Sequence, residues 1–193
     1  GSGKQLHFDE LFIRINSLRW FRKLYLDKID QLIINFTKSE WQQFNLQSPF
    51  MKKNINKFII ELPKFIPEND IKFYKDLCLS LSRQGIKNFM LSNISQKLLL
   101  PIGIRSSVNE NVYTLNDAAI QFLKEDNAGL HIYPYEFDYE NLVGGKNRNG
   151  IVPLYFYPEL FHSRMPVKLD NPDDDGYAHF KDRDHSFRKT VRD

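Results

Sequence analysis

Apolar residues along the chain fall into two recurring textures. Short continuous runs rich in Ile, Leu and Phe alternate with longer stretches where apolar residues recur every three or four positions. The first texture reads as strand buried on both faces, the second as amphipathic helix. Strands are predicted at 12–16, 31–36, 58–63, 88–93, 104–109, 130–134 and 151–157. Between them, Ser17 stands as an N-cap before Leu18, Phe21, Leu24 and Tyr25, and Thr37 or Ser39 before Trp41, Phe44 and Leu46, with a break near Pro49. Asn69 or Asp70 opens the strongest helix, which carries Ile71, Tyr74, Leu77, Cys78 and Leu81 on one face and stops at Gly85. A short helix runs through Leu98–Leu100, and Asn116 caps Ala118, Ala119, Phe122 and Leu123. Gly144-Gly145 marks a loop.

Strands interleaved with helices argue βαβ units and a parallel sheet. The predicted class is α/β, a TIM-barrel-like or partial barrel of about seven parallel strands alternating with helices. A doubly wound open sheet is the competitor, but no G-x-G-x-x-G follows the first strand. Residues 4–170 read as the barrel-type domain and 171–193 as a polar, irregular tail. Gly1-Ser2-Gly3 reads as a cloning remnant, which predicts a segment taken from a longer parent chain.

Composition narrows the function classes. The chain has 193 residues, with 27 Lys+Arg against 24 Asp+Glu, so its net charge is only +3. That excess is small for a nucleic-acid footprint unless the cations cluster on one face. Cys78 is the single cysteine, which excludes an intramolecular disulfide and a thiolate zinc knuckle and favours a cytoplasmic setting. No run of about 18 apolar residues exists, so no membrane-spanning helix is expected.

A barrel gathers its working side chains at the C-terminal ends of its strands. Those ends carry Asn16, Asn35, Glu61, Ser92, Asn93, Asn109, Glu136 and Glu159. Asn and Ser also cap helices and form turns. Glu61 is harder to read that way, because it stands between Ile60 and Leu62 before Pro63. Glu61 and Glu136 would form an acid/base pair if their strand ends converge. After the last predicted strand come His162, Ser163 and Arg164. No G-x-S-x-G elbow accompanies the Ser, and Arg164 fits an anion clamp or a structural ion pair. His179, Asp182, Asp184 and His185 are metal-ligand types in a charged tail, without an H-E-x-x-H pattern. Asp173-Asp174-Asp175-Gly176 lacks the alternation and closing Glu of a calcium loop.

Several strings together resemble a known family. Gly85-x-x-Asn88-Phe89-x-x-Ser92-Asn93 is similar to a strand of the collagenase-like peptidase family, U thirty-two. Thr114-Leu115-Asn116-x-Ala118-Ala119 through Leu123 resembles its "N-x-x-A…L" helix, and Tyr133-Pro134-Tyr135-Glu136 its "S-P-E" strand end. Pro153-Leu154 with Phe161-His162-Ser163-Arg164, and Phe180-Lys181-Asp182-Arg183-Asp184 with Phe187, resemble its two closing segments. The order agrees from about residue 58 to the end. The resemblance implies a TIM-barrel-like fold, and it is to the carboxyl-terminal segment of longer members. Its matched positions are Ser92, Asn93, Glu136, Ser163, Arg164, Asp182 and Arg183. It implies a peptidase label, while several members instead hydroxylate RNA bases or a quinone precursor with an iron–sulfur cluster. Such clusters need about four cysteines. Met165-Pro166-Val167 stands here where members often place a Cys, so no cofactor is expected in this segment; zinc or a cluster would belong to the parent.

Three functional expectations follow. The first is a peptidase acting on a protein or peptide substrate, with Glu61 and Glu136 managing protons or a water and Arg164 orienting an anionic group. Ser92, Asn93, Asn109, His162, Ser163, Asp182 and Arg183 would line the substrate. Bound zinc would point to His162, His179 and His185. The second is a non-catalytic RNA-binding or scaffold part of a hydroxylating enzyme, using cations such as Lys52, Lys53, Lys57, Lys146, Arg148, Arg183, Arg188, Lys189 and Arg192. The third is a structural half-barrel that self-associates as a homodimer or needs the remaining domains of its parent.

Overall fold

Residues 10–112, 120–121, 128–136, 139–144, 150–155, 172–173, 177–182 and 185–189 are described by a computed structural model. Six of the apolar runs form strands: β1 Phe12–Ile15, β2 Gln31–Ile34, β3 Phe58–Glu61, β4 Asn88–Leu91, β5 Arg105–Val108 and β6 Ala128–His131. They lie side by side in chain order, and every neighbouring pair is parallel. A doubly wound sheet reverses its order at a switch point, whereas this one advances in a single direction as a barrel does. At the seventh position Ile151 makes an isolated parallel bridge to Ile132, and residues 156–157 of the predicted strand lie outside the described residues. The fold is an α/β partial barrel.

Alternation along each strand sends neighbours to opposite faces. Leu32, Ile34, Phe58, Ile60, Phe89 and Leu91 pack outward against the helices, in the large core that also holds Phe36, Trp41, Tyr74, Cys78 and Leu81. Ile33, Ile59 and Met90 point the other way and meet Ile132, with Phe12 and Ile151 packed against them. Residues from the first and last parts of the sheet thus share one inner cluster, so the sheet is curled.

The helical connections follow their caps. α1 (Lys38–Gln43) starts at Thr37, whose side chain accepts from the Glu40 N–H. α2 (Pro49–Asn54) starts at Ser48 with its proline in the first turn, where the missing N–H costs nothing. The break expected near Pro49 is therefore a helix start. α3 (Ile71–Arg83) buries Tyr74, Cys78 and Leu81 and ends at Gly85, which has φ +111°. Burial pushes the Cys78 thiol up to about 12, so it behaves as a small core residue. Asp70 precedes α3 without a side-chain cap; its carboxylate takes Lys38 Nζ at 2.6 Å. The helix expected after Ser17 is instead a pair of 3-10 turns, Leu18–Arg22 and Leu26–Lys28. Ser17 makes no cap, and the Leu18 N–H goes to the Glu40 carboxylate at 3.0 Å.

Most of the helix expected from Asn116 lies outside the described residues. Beyond it comes α4 (Tyr139–Gly144), whose Leu142 packs with Ile120 and Tyr133. The C-terminal segment is not irregular throughout. β7 (Ala178–Asp182) and β8 (His185–Lys189) form an antiparallel hairpin with Phe180 opposite Phe187. The residues joining its strands include no glycine or asparagine, so the usual hairpin signal is missing from the sequence. Among the described residues no helix is long and apolar enough to cross a membrane.

Candidate site at the barrel mouth

Arg14 starts the site. It stands two residues after Phe12 on β1 and so shares the inward face, one layer nearer the C-terminal end. Its Nη2 donates to Glu61 Oε1 at 2.9 Å and to Glu110 Oε2 at 2.8 Å, and its Nη1 donates to Glu110 Oε1 at 2.9 Å. Glu61 ends β3 and Glu110 follows β5, so one guanidinium links strands that are not neighbours. Only a curled sheet brings these ends together.

Glu61 is 1% exposed, and its oxygens are occupied. Besides Arg14, Oε1 accepts from Asn109 Nδ2 at 2.8 Å, and Oε2 accepts from Asn35 Nδ2 at 2.9 Å. Asn109 spends its second amide hydrogen on Ser92 Oγ at 2.6 Å, and Ser92 donates to the Leu62 carbonyl at 2.8 Å. A buried carboxylate is tolerated only with such partners. Glu61 is thus the anchor of the network and has no free face for substrate.

The outer part differs. Arg14 is about one-third exposed and Glu110 12% exposed at the side chain, and Tyr135 Oη donates to Glu110 Oε1 at 2.8 Å. Burial would raise the Glu110 carboxyl, but the hydrogen bond and charge of Arg14 outweigh it and hold the group below its ordinary value. Burial would lower Arg14, and the two carboxylates reverse that and raise it. Burial, then Glu110, pushes the Tyr135 phenol up to about 12, so it remains a proton donor at neutral pH. Asn16 stands at the same rim, with Nδ2 3.5 Å from the Tyr177 hydroxyl. One cation between two carboxylates leaves a formal charge of −1. The arrangement suits amide, hydroxyl or cationic groups and disfavours phosphate.

The other expected site residues fall as follows. Glu136 is exposed; the carboxylate joined to Glu61 through Arg14 is Glu110. Ser92 and Asn109 reach the network but are buried. Asn93 is exposed and caps the 3-10 helix Ile94–Leu99, its side chain accepting from the Ser95 N–H at 2.9 Å, with Gln96 completing a capping box. Asp182 lies on β7, while His162, Ser163, Arg164 and Arg183 lie outside the described residues. His179 Nε2 is 2.7 Å from Asp173 Oδ2, and among the described residues no group of three metal-ligand side chains forms. Of the cations expected for RNA, Lys57 donates to the Leu26 and Ile29 carbonyls at 2.6 and 2.7 Å, while Lys52 and Lys53 are exposed on α2.

Sequence reasoning missed Arg14, Glu110 and Tyr135 as working residues. A signal existed for Arg14: a charge in the inward phase of an apolar strand needs a buried partner. Glu110 and Tyr135 carry no such signal, because each is polar in a loop.

Fold and site together define a singly wound α/β partial barrel with a polar, carboxylate-rich mouth. Comparison with protein-family models, curated proteins and solved structures finds no match.

Proposed function

We propose that the chain is the barrel portion of a protein of the U thirty-two peptidase type, and that its mouth receives a protein or peptide substrate. The observation carrying this reading is the Arg14–Glu61–Glu110 set, with its formal charge of −1, rimmed by Tyr135, Asn16 and Asn35. Amides and a phenol complement the donors and acceptors of a polypeptide backbone, and the surplus negative charge complements a basic side chain or an amino terminus. Phosphate meets a guanidinium already neutralised by carboxylates, which disfavours RNA at this face.

In this reading Glu61 positions Arg14, Asn35 and Asn109, while Arg14, Glu110 and Tyr135 touch the substrate. Glu110, held below its ordinary value, is a weak base near neutrality, and Tyr135 is a donor. The described residues of the mouth therefore serve to bind and orient the peptide.

The test uses the 193-residue chain with gelatin, unfolded casein and a fluorescent lysine-rich peptide, with and without added zinc. Cleavage, or saturable peptide binding weakened at least about tenfold by Glu110→Gln, is expected, because that variant removes the surplus negative charge that a lysine-rich peptide meets. Intact substrates together with no saturable binding would sink the proposal.

A further inference from the structure

The barrel has a second concavity at the opposite end from the mouth. A cavity of about 390 Å³ lies among the segments that enter β3, β4 and β5. Lys87 and Asn88 come from the start of β4, Arg105 from the start of β5, and Ile55 and Asn56 from the turn before β3. The size falls within the range of small-molecule sites, roughly 300–1,000 Å³.

Its walls are defined by backbone geometry. Pro101 to Ile104 form a tight turn, with the Ile104 N–H on the Pro101 carbonyl at 3.2 Å. Gly103 occupies its third position with φ +84°, where an L side chain is strained. A Cβ there would meet nothing within 4 Å, so Gly103 leaves the cavity open at its edge. On the other side Ile55 is held close to Gly85, where an added Cβ would come within 3.3 Å of Ile55 Cδ1.

The chemistry is asymmetric. Lys87 and Arg105 are exposed cations at adjacent strand starts; Arg105 sits in register with Asn88. Among the described residues neither has an acidic partner. Asn56 and Asn88 add amide donors, and Ile55 and Ile104 supply apolar floor. Two unneutralised cations over an apolar floor are the reverse of the mouth, where the cation is outnumbered.

We propose that this cavity binds a small phosphate monoester with an apolar body, Lys87 and Arg105 holding the phosphate and Ile55 and Ile104 lying against the body. Arg105 supplies planar paired donors and Lys87 a mobile point charge, the usual division of labour at a phosphate. Because the cavity is at the N-terminal end of the strands, its ligand would act apart from chemistry at the mouth.

Calorimetric titration of the 193-residue chain with phenyl phosphate, inorganic phosphate and phenol tests this directly. Phenyl phosphate is expected to bind saturably and more tightly than inorganic phosphate, phenol not at all, and added salt should weaken the binding. Arg105→Gln and Lys87→Gln should each weaken it about tenfold. Both residues are exposed, so the variants should keep the parent circular dichroism. Glu110→Gln, at the mouth, should leave phenyl phosphate binding unchanged. No saturable binding of phenyl phosphate, equal binding of inorganic phosphate, or undiminished binding in the two cavity variants would overturn the proposal.

Discussion

Glu61 shows how much one side chain can organise. It is buried on every side and accepts from Arg14, Asn35 and Asn109, so its removal strands three donors at once. Breaking a buried pair by deleting one partner costs about 3–5 kcal/mol. Glu61→Ala is expected near the lower end, because Arg14 is partly solvated and can recover water. Urea unfolding measures it, and a loss below about 0.5 kcal/mol, the level of an ordinary surface change, would show that the network is not formed. Glu110 sets an acid limit. Its folded carboxyl lies below the unfolded value, so the unfolded chain binds more protons in that window and stability rises with pH. The contribution is complete above the ordinary Glu value of about 4.3 and is lost as pH falls through the lower folded value. Glu110→Gln should flatten the urea midpoint against pH on the acid side; an unchanged slope would remove Arg14 as the cause.

At the scale of elements, short helices depend on their caps more than on length. Asn93 is instructive because the family resemblance places it with the substrate, whereas its side chain closes a capping box on Ile94–Leu99. Asn93→Ala should therefore cost about 1 kcal/mol of stability, as loss of an N-cap does, and leave peptide binding alone. A binding defect without a stability change would return Asn93 to the substrate. The α3 helix was legible in advance because Tyr74, Cys78 and Leu81 repeat on one face and Gly85 ends it. The segment after Ser17 was not: Leu18 and Phe21 carry a helical spacing, yet the chain there makes two 3-10 turns, with the Leu18 N–H bonded to the Glu40 carboxylate. The β7–β8 hairpin was missed for a local reason, its connection lacking the residues that favour the turn.

For the whole molecule, the decisive feature is that one curled sheet supports two cores. Ile59 and Ile60 are adjacent in β3, yet Ile59 joins the inner cluster with Ile33, Met90 and Ile132 while Ile60 joins the helix-facing one. Ile59→Ala should cost about 2–5 kcal/mol, the range for a large-to-small change in a closed core. Because that cluster ties early strands to Ile132, Ile59→Ala should also loosen amide-exchange protection at β6, not only at β3. Protection lost at β3 alone would mean that the sheet is flatter than described.

The sequence by itself marked the runs that form the six-stranded sheet, their parallel class and the α3 helix packed on it, though not the β7–β8 hairpin, because burial on both faces writes a continuous apolar run and burial on one writes a period. It also singled out Glu61, since a carboxylate amid Ile60 and Leu62 demands a partner. Which partner it finds was decided only by the tertiary structure. Arg14, Asn35 and the adjacent Asn109 and Glu110 come from three stretches of chain, and only the curl of the sheet makes them neighbours. The alternation of strands and helices announces a barrel but not which side chains its curl brings together, so the same Glu61 that reads as half of a pair with Glu136 is, in the folded protein, the anchor of a guanidinium.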